Sequence, residues 1–478
     1  MEIRWGSRLR RSIGLAAALV CGASACALPA PAGAASGIDL GFAEPRFNSS
    51  DSAVRSEWMN RAVDVGSQWA RVGIGWAGIA PSPPVVPTDP GSLEYRWAGA
   101  DAAVRDAAAR GQQILITVSS APGWAEGPGR DPAAEPGTWR PEPDAVRAFA
   151  TALAVRYSGE FPDPLNAGAT LPRVAAMEAW NEPNLSSFYA PQLAGGKPVS
   201  PDSYRQMLNA FYEGVHSVSP SAQVVGGALA PIGSDGGRKG KPRVGPLEFL
   251  RELLCLKEKG LKPVACPVKA KFDVLSHHPI NANRPPRAKA GADDAGIAEM
   301  GTIVKMLRKA ESAGNVQPGG RRPVWNTEFW WHSNPPKTGR QIPSLKEQAA
   351  YISEALYLNW KDKVELAMLY QVGDDSSRPF QSGVFFEDGS AKQSRTAFQF
   401  PLVGDRKSRK KVLIWGRAPV AGTVAIQVKA GKRRFKTVSR RQVAVAEVFK
   451  TTTRLKGKGK LRAKLAGQKS LTWKQGKK

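Results

Sequence analysis

The sequence predicts an α/β protein, a (β/α)8 barrel of eight parallel strands alternating with helices, followed by a small all-β sandwich domain. Three observations lead there. Apolar, β-branched runs of strand length alternate with amphipathic helix patterns eight times between residues 38 and 400. Two of those runs end on a glutamate at a turn: residues 174–184, VAAMEAWNEPN, and residues 323–331, PVWNTEFWW. Beyond residue 402 the helical period gives way to short alternating segments broken by glycine turns.

In chain order, the first strand is predicted over 38–47 and a helix over 52–68, opened by Asp51 as its N-cap. The second strand, 70–79, carries Arg71 and Trp76. A helix over 100–110 leads to the third strand, 112–120, and then to Trp124, whose flat ring just past a strand end suits a sugar face. A Pro- and Gly-rich loop over 126–143 and a helix over 144–157 precede the fourth strand. Period-two alternation puts Glu178, Trp180 and Glu182 on one face, with Glu178 about 13 Å deeper than Glu182 if the chain stays extended. Glu178 is therefore read as an interior group needing a partner, and Glu182 as the group at the mouth.

A helix over 202–218 leads to the fifth strand, 222–229, where Gly226 and Gly227 admit a close neighbour. A helix over 246–259 carries Cys255, and the sixth strand, 272–280, ends in His277 and His278, which must point to opposite faces. A helix over 296–313 precedes the seventh strand with Glu328, Phe329, Trp330 and Trp331. A helix over 344–360 leads to the eighth strand, 364–372, which contains Tyr370, and the last helix covers 394–400. Residues 402–411 are expected as a basic linker, and 412–478 as the sandwich, with strands at 412–414, 423–428, 434–438, 442–448 and 460–465. The barrel domain is then 36–401. No Gly-x-Gly-x-x-Gly follows the first strand, so a dinucleotide fold is not expected.

Arg4, Arg8, Arg10 and Arg11, an apolar run over 13–28 and Ala32-Gly33-Ala34 predict a secretory signal peptide over residues 1–35. The apolar run is shorter than the ~20 residues a bilayer span needs, so the mature chain is expected to be secreted, with cell-wall association as a variant. In that compartment Cys255 and Cys266 are expected to pair, closing a loop worth roughly 3 kcal/mol. The formal charge of +27 is concentrated in residues 402–478, which hold 24 Lys plus Arg against Asp405 and Glu447. Such a field favours polyanions. Export and scarce aromatics argue against nucleic acid, leaving anionic wall polymers or acidic exopolysaccharide as partners.

The Asn-Glu-Pro and Thr-Glu-Phe stretches resemble the ends of the fourth and seventh barrel strands of clan A retaining glycoside hydrolases, closest to families 39 and 5, over residues 38–400. The resemblance implies Glu182 as acid/base and Glu328 as nucleophile. It also implies Asn181 at a sugar 2-hydroxyl, Arg71 holding Glu328 ionised, and His278 near the nucleophile. Tyr370 stands where the clan usually has a tryptophan floor, a departure that leaves the sugar open. Trp330 joins Trp124 as a candidate substrate contact. The expected activity is hydrolysis of O-glycosidic bonds in a polysaccharide or oligosaccharide by a two-glutamate double displacement, by a monomer, with no cofactor and no metal. The rival is a non-catalytic cell-surface or polysaccharide-binding protein on the same scaffold, which predicts Glu182 and Glu328 held apart or blocked by a loop.

Overall fold

A computed structural model describes residues 37–234, 236–237 and 241–476. The predicted signal peptide lies outside the described residues. Eight parallel strands close into a barrel: β1 Asp39–Ala43, β2 Trp69–Gly75, β3 Gln113–Ser119, β4 Ala176–Ala179, β5 Gln223–Leu229, β6 Val274–His277, β7 Val324–Phe329 and β8 Leu366–Tyr370. Each pairs with its sequence neighbours, and β1 closes on β8. Eight helices follow the strands in turn: α1 Ser52–Asp64, α2 Ala98–Ala109, α3 Pro143–Arg156, α4 Ser200–His216, α5 Pro246–Leu253, α6 Met300–Ser312, α7 Leu345–Lys361 and α8 Gln393–Gln399. Asp51 caps α1 through its side chain, accepting from the N–H groups of Ala53 and Val54.

Side chains fill the barrel in layers. Trp69, Leu115, Ala176, Val225, Val274, Trp325 and Leu366 form a closed apolar layer, in which Trp69 and Trp325 meet edge to face at 5.0 Å. Two residues further along each strand, period-two alternation delivers the next layer: Arg71, Thr117, Glu178, Gly227, Ser276 and Thr327. The lower layer is apolar and the upper one, Met368 of β8 apart, is polar, so the chemistry sits toward the strands' C-terminal ends. Gly227 has φ +106°, and a Cβ there would lie 2.3 Å from the Ser276 carbonyl oxygen, so β5 and β6 approach closely only because this position has no side chain.

Several sequence expectations are corrected. The fourth strand is only four residues long, because Trp180 (φ 80°) and Glu182 (φ 45°) turn the chain into the left-handed region. Trp180 therefore leaves the barrel face and is buried among Trp76, Phe149, Met207 and Phe211, beneath α3 and α4. Trp76 itself lies beyond β2, in a short helical turn. The helix before Cys255 stops at Leu253, and Cys255 pairs with Cys266.

The stretch 402–411 is not a linker. Leu402–Arg406 is a strand, β9, antiparallel to β10 Lys411–Arg417, with Leu402 and Val403 buried. Its apolar start joins the sandwich core, which the surrounding charges hid in the sequence. The remaining main strands are β11 Gly422–Ala430, β12 Lys436–Val443, β13 Val448–Arg454 and β14 Gly459–Leu465. The segments 434–438 and 442–448 are thus not two separate strands: β12 runs through 436–443 and β13 begins at 448. One sheet is β9-β10-β13 and the other is β12-β11-β14, extended by Gln468–Lys469 and Trp473–Gln475. The first sheet is anchored on the barrel: Trp415 packs on Tyr357 and Trp360 of α7, and buried Arg417 donates to the Ile38 carbonyl.

Candidate active site

Arg71 is the hub of the upper layer. Its Nε and Nη2 donate to Glu178 Oε2 at 3.0 and 2.8 Å, Nη1 to Glu328 Oε2 at 3.1 Å, and Nη2 also to Asn181 Oδ1 at 3.0 Å. One guanidinium spans Glu178, Asn181 and Glu328, so Glu178 sits less deep than an extended β4 implies. The partner Glu178 needs is Arg71, joined by three hydroxyls. Thr117 donates to Oε2 at 2.7 Å, and Ser276 and Thr327 donate to Oε1 at 2.8 and 2.9 Å.

Burial pushes the Glu178 carboxyl up, but Arg71, His278 and the hydroxyls outweigh it and hold Glu178 below the usual carboxylate range. Burial also opposes the Arg71 charge, yet the carboxylates around it raise its pKa. Arg71 and Glu178 are thus a permanent buried ion pair with every oxygen satisfied.

Glu328 behaves differently. Burial raises its pKa, and His278 and Arg71 only partly offset this, while Glu182 and Glu178 add to it. Arg71 contacts Glu328 and lowers its pKa in the expected sense, but burial outweighs it, and the same guanidinium also serves Glu178. Glu328 reaches the site through a register shift between β7 and β8 at Asn326 to Phe329. Strict alternation after Thr327 would turn Glu328 outward, and this irregularity re-aims it.

Glu182 is fixed by its own backbone, its N–H donating to the Ala228 carbonyl at 2.9 Å. Its Oε1 meets His278 Nδ1 at 3.0 Å. Of the two adjacent histidines only His278 faces the site. His277 is turned away, Nε2 to the Ala295 carbonyl at 2.9 Å, and burial depresses its pKa to about 3. His278 is hydrogen-bonded to Glu182 rather than to Glu328. Even so, donor atoms of Glu182, His278 and Glu328 all lie within 4.8 Å of one another. A cation could be spanned by such a set, but the Arg71 guanidinium already places positive charge against Glu328, which favours a proton-handling cluster.

Beside these groups is a cavity of about 220 Å³, lined by Glu44, Asn48, Arg71, Ser119, Asn181 and Tyr370 among others. Arg71 occupies the Asn181 carbonyl oxygen, so the amide Nδ2 is the group left to donate to a ligand. Glu44, Asn48 and Ser119 were not singled out in the sequence. Each stands at or just past the C-terminal end of β1 or β3, so the strand-end rule used for Glu182 would have found them. Trp124 and Trp330 do not line this cavity. Trp124 packs edge-on against Trp76 and donates to the Ala80 carbonyl. Trp330 is buried against His332 and Phe380, and Phe380 in turn meets Tyr370.

A closed (β/α)8 barrel with a carboxylate cluster at the C-terminal ends of its strands defines the class of protein. No protein-family model matches the chain, and no curated protein matches it in sequence. Among solved structures it is similar to a family 39 glycoside hydrolase from the gut symbiont Bacteroides cellulosilyticus WH2. That likeness has a TM-score of 0.55 at 18% identity and covers 88% of this chain and 81% of that one. A GH5_18 protein from Streptomyces cattleya, solved with GlcNAc, aligns at TM-score 0.48 and 15% identity over 76% of this chain and 79% of its own. At these identities the likeness is one of fold.

Proposed function

We infer that the protein is a retaining β-glycosidase, with Glu328 as nucleophile and Glu182 as acid/base. The observation that carries this reading is the approach of the two carboxylates, with oxygens within 4.8 Å. That proximity supports double displacement, which uses carboxyls ~5 to 5.5 Å apart, and it counts against a scaffold whose glutamates are held apart. In the first step Glu328 Oε attacks the anomeric carbon, the glycosidic C–O pair departs with the leaving oxygen, and Glu182 protonates that oxygen. In the second, Glu182 takes a proton from water, which attacks the same carbon and frees Glu328.

Burial and the neighbouring Glu182 oppose the ionised Glu328 that the first step requires, while His278 and Arg71 favour it. Once Glu328 is glycosylated its charge is gone and Glu182 can act as the base. Arg71 stabilises the charge that returns to Glu328 as it leaves, and the Asn181 amide meets the sugar 2-hydroxyl. His278 orients Glu182, and Tyr370 walls the catalytic subsite. No metal or cofactor has a part in this scheme.

The paired cysteines and the leader-like first 35 residues support export. No helix among the described residues is long and apolar enough to cross a membrane. The basic C-terminal domain is assigned to anionic polymer outside the cell.

The test is reducing-sugar release from β-linked glucans, mannans, xylans, galactans and acidic polysaccharides by the wild type and by Glu328→Gln. Release from one substrate, abolished in the variant, is expected. Equal release by both would remove Glu328 from the mechanism.

A further inference from the structure

The second sheet of the C-terminal domain has one face in the sandwich core and one facing away from it. Val424, Ile426 and Val428 of β11 and Leu461, Ala463 and Leu465 of β14 are buried, so their alternate neighbours point outward. The outward residues form three rungs across the strands. In the first, Lys429 stands opposite Lys460, and Lys460 opposite Lys474. In the second, Gln427 stands opposite Arg462. In the third, Ala425 stands opposite Lys464, and Lys464 opposite Lys469, with Arg440 of β12 on the other side of Ala425. None of these outward residues is acidic. The face continues onto the barrel, where Lys474 lies against Lys346 of α7.

Like charges directly opposite one another across strands destabilise a sheet. Here they recur on two of three rungs, unrelieved by any carboxylate of the same face. A ligand that supplies regularly spaced anions removes that repulsion. We propose that this sheet face binds a linear uronic-acid polysaccharide, its chain lying across the strands along the lysine rungs.

Cations on neighbouring strands are about 4.8 Å apart, roughly the length of one sugar residue, so successive carboxylates of an extended uronan can meet successive lysines. Most of the cations are lysines, which act as point charges and suit a string of separated carboxylates. The two arginines do not change this, because Arg462 is already committed: its Nε donates to Gln427 at 2.8 Å and its guanidinium covers the Phe435 ring at 3.9 Å. That cover also blocks one face of the Phe435 ring to a stacking nucleic-acid base. The proposal rests on reading the C-terminal domain as polymer-binding. It does not depend on the assignment of Glu182 and Glu328.

The experiment measures binding of the full chain to polygalacturonate, a neutral β-glucan and duplex DNA at low and high salt. Three chains are compared: wild type, K429Q/K460Q/K474Q on the face, and K407Q/K410Q/K411Q, which removes the same charge from the turn between β9 and β10 and the first residue of β10. The expected result is salt-sensitive binding of polygalacturonate by the wild type, at least about tenfold weaker in the first variant and little changed in the second. Glu328→Gln is expected to bind as the wild type does, so failure of the hydrolase reading registers in sugar release and failure of this one in binding. Equal losses in the two triple variants, no binding by the wild type, or tighter binding of DNA than of polygalacturonate would each overturn the proposal.

Discussion

Replacing Glu178 with glutamine removes one negative charge from the barrel interior and nearly preserves the shape of the side chain. The amide oxygen can still accept from Arg71 and Thr117, while the amide nitrogen would face the Ser276 and Thr327 hydroxyls, which can rotate to accept. What cannot be replaced is the counter-charge. A guanidinium and a carboxylate in contact have charge centres about 4 Å apart, worth about 4 kcal/mol at an effective dielectric of 20. Removing one partner of a buried pair costs about 3 to 5 kcal/mol by mutational experience. Glu328 remains on the same guanidinium at 3.1 Å, so the expected loss is at the low end, about 3 kcal/mol. In a chain of this length that is a fall in Tm of about 3 °C.

The same variant should also alter the pH profile. Glu178 is one of the charges that keep Glu328 from ionising, after burial and Glu182. Without it Glu328 ionises at lower pH. The acidic limb of kcat/KM, which reports the free nucleophile, should therefore move to lower pH. Scanning calorimetry and a pH-rate series on the substrate found in the release assay measure both effects. A Tm within about 1 °C of wild type, with an acidic limb that stays in place or moves up, would refute the view that Glu178 shares the Arg71 charge with Glu328.

Two further variants probe the histidines. His278→Ala removes the 3.0 Å contact with Glu182, and a hydrogen bond to a charged group is worth about 1.5 to 3 kcal/mol, so kcat should fall roughly ten- to a hundredfold with KM little changed; an unaltered kcat would exclude His278 from positioning Glu182. His277 is depressed from 6.5 to about 3 by burial. Stability is therefore complete above pH 6.5 and is lost as the pH falls toward 3, when the unfolded chain takes a proton that the folded one refuses. The slope is about 1.4 kcal/mol per pH unit. Urea midpoints between pH 7 and 4 should fall less steeply in His277→Gln, and parallel slopes would remove His277 from the acid sensitivity.

The barrel was legible because its signals are local. Eight apolar runs of strand length, helix patterns between them and two glutamates at strand ends survive in any single window of sequence. The same alternation separated His277 from His278 and marked Glu178 as an interior group, since period two is fixed by backbone geometry. The charge of residues 402–478 was equally plain, though that a strand begins at Leu402 was not, because a short apolar start is lost among lysines and arginines.

What the sequence could not give was decided where chain segments meet. Glu328 reaches Arg71 through a register shift between β7 and β8, and no residue type within β7 announces an irregularity that depends on its neighbour. Trp180 leaves the barrel because the chain turns left-handed there, stabilised by packing against Trp76 and Phe149. Whether Arg71 served Glu328 or Glu178 was a matter of distances among three strands, and the structure gives it to both. It places the lysines of β11, β14 and Trp473–Gln475 in register on one face, an arrangement made by pairing between segments far apart in the chain. Periodicity and composition are properties of a segment and can be read from it, whereas register, burial and the division of one charge between two partners arise only when segments are packed together.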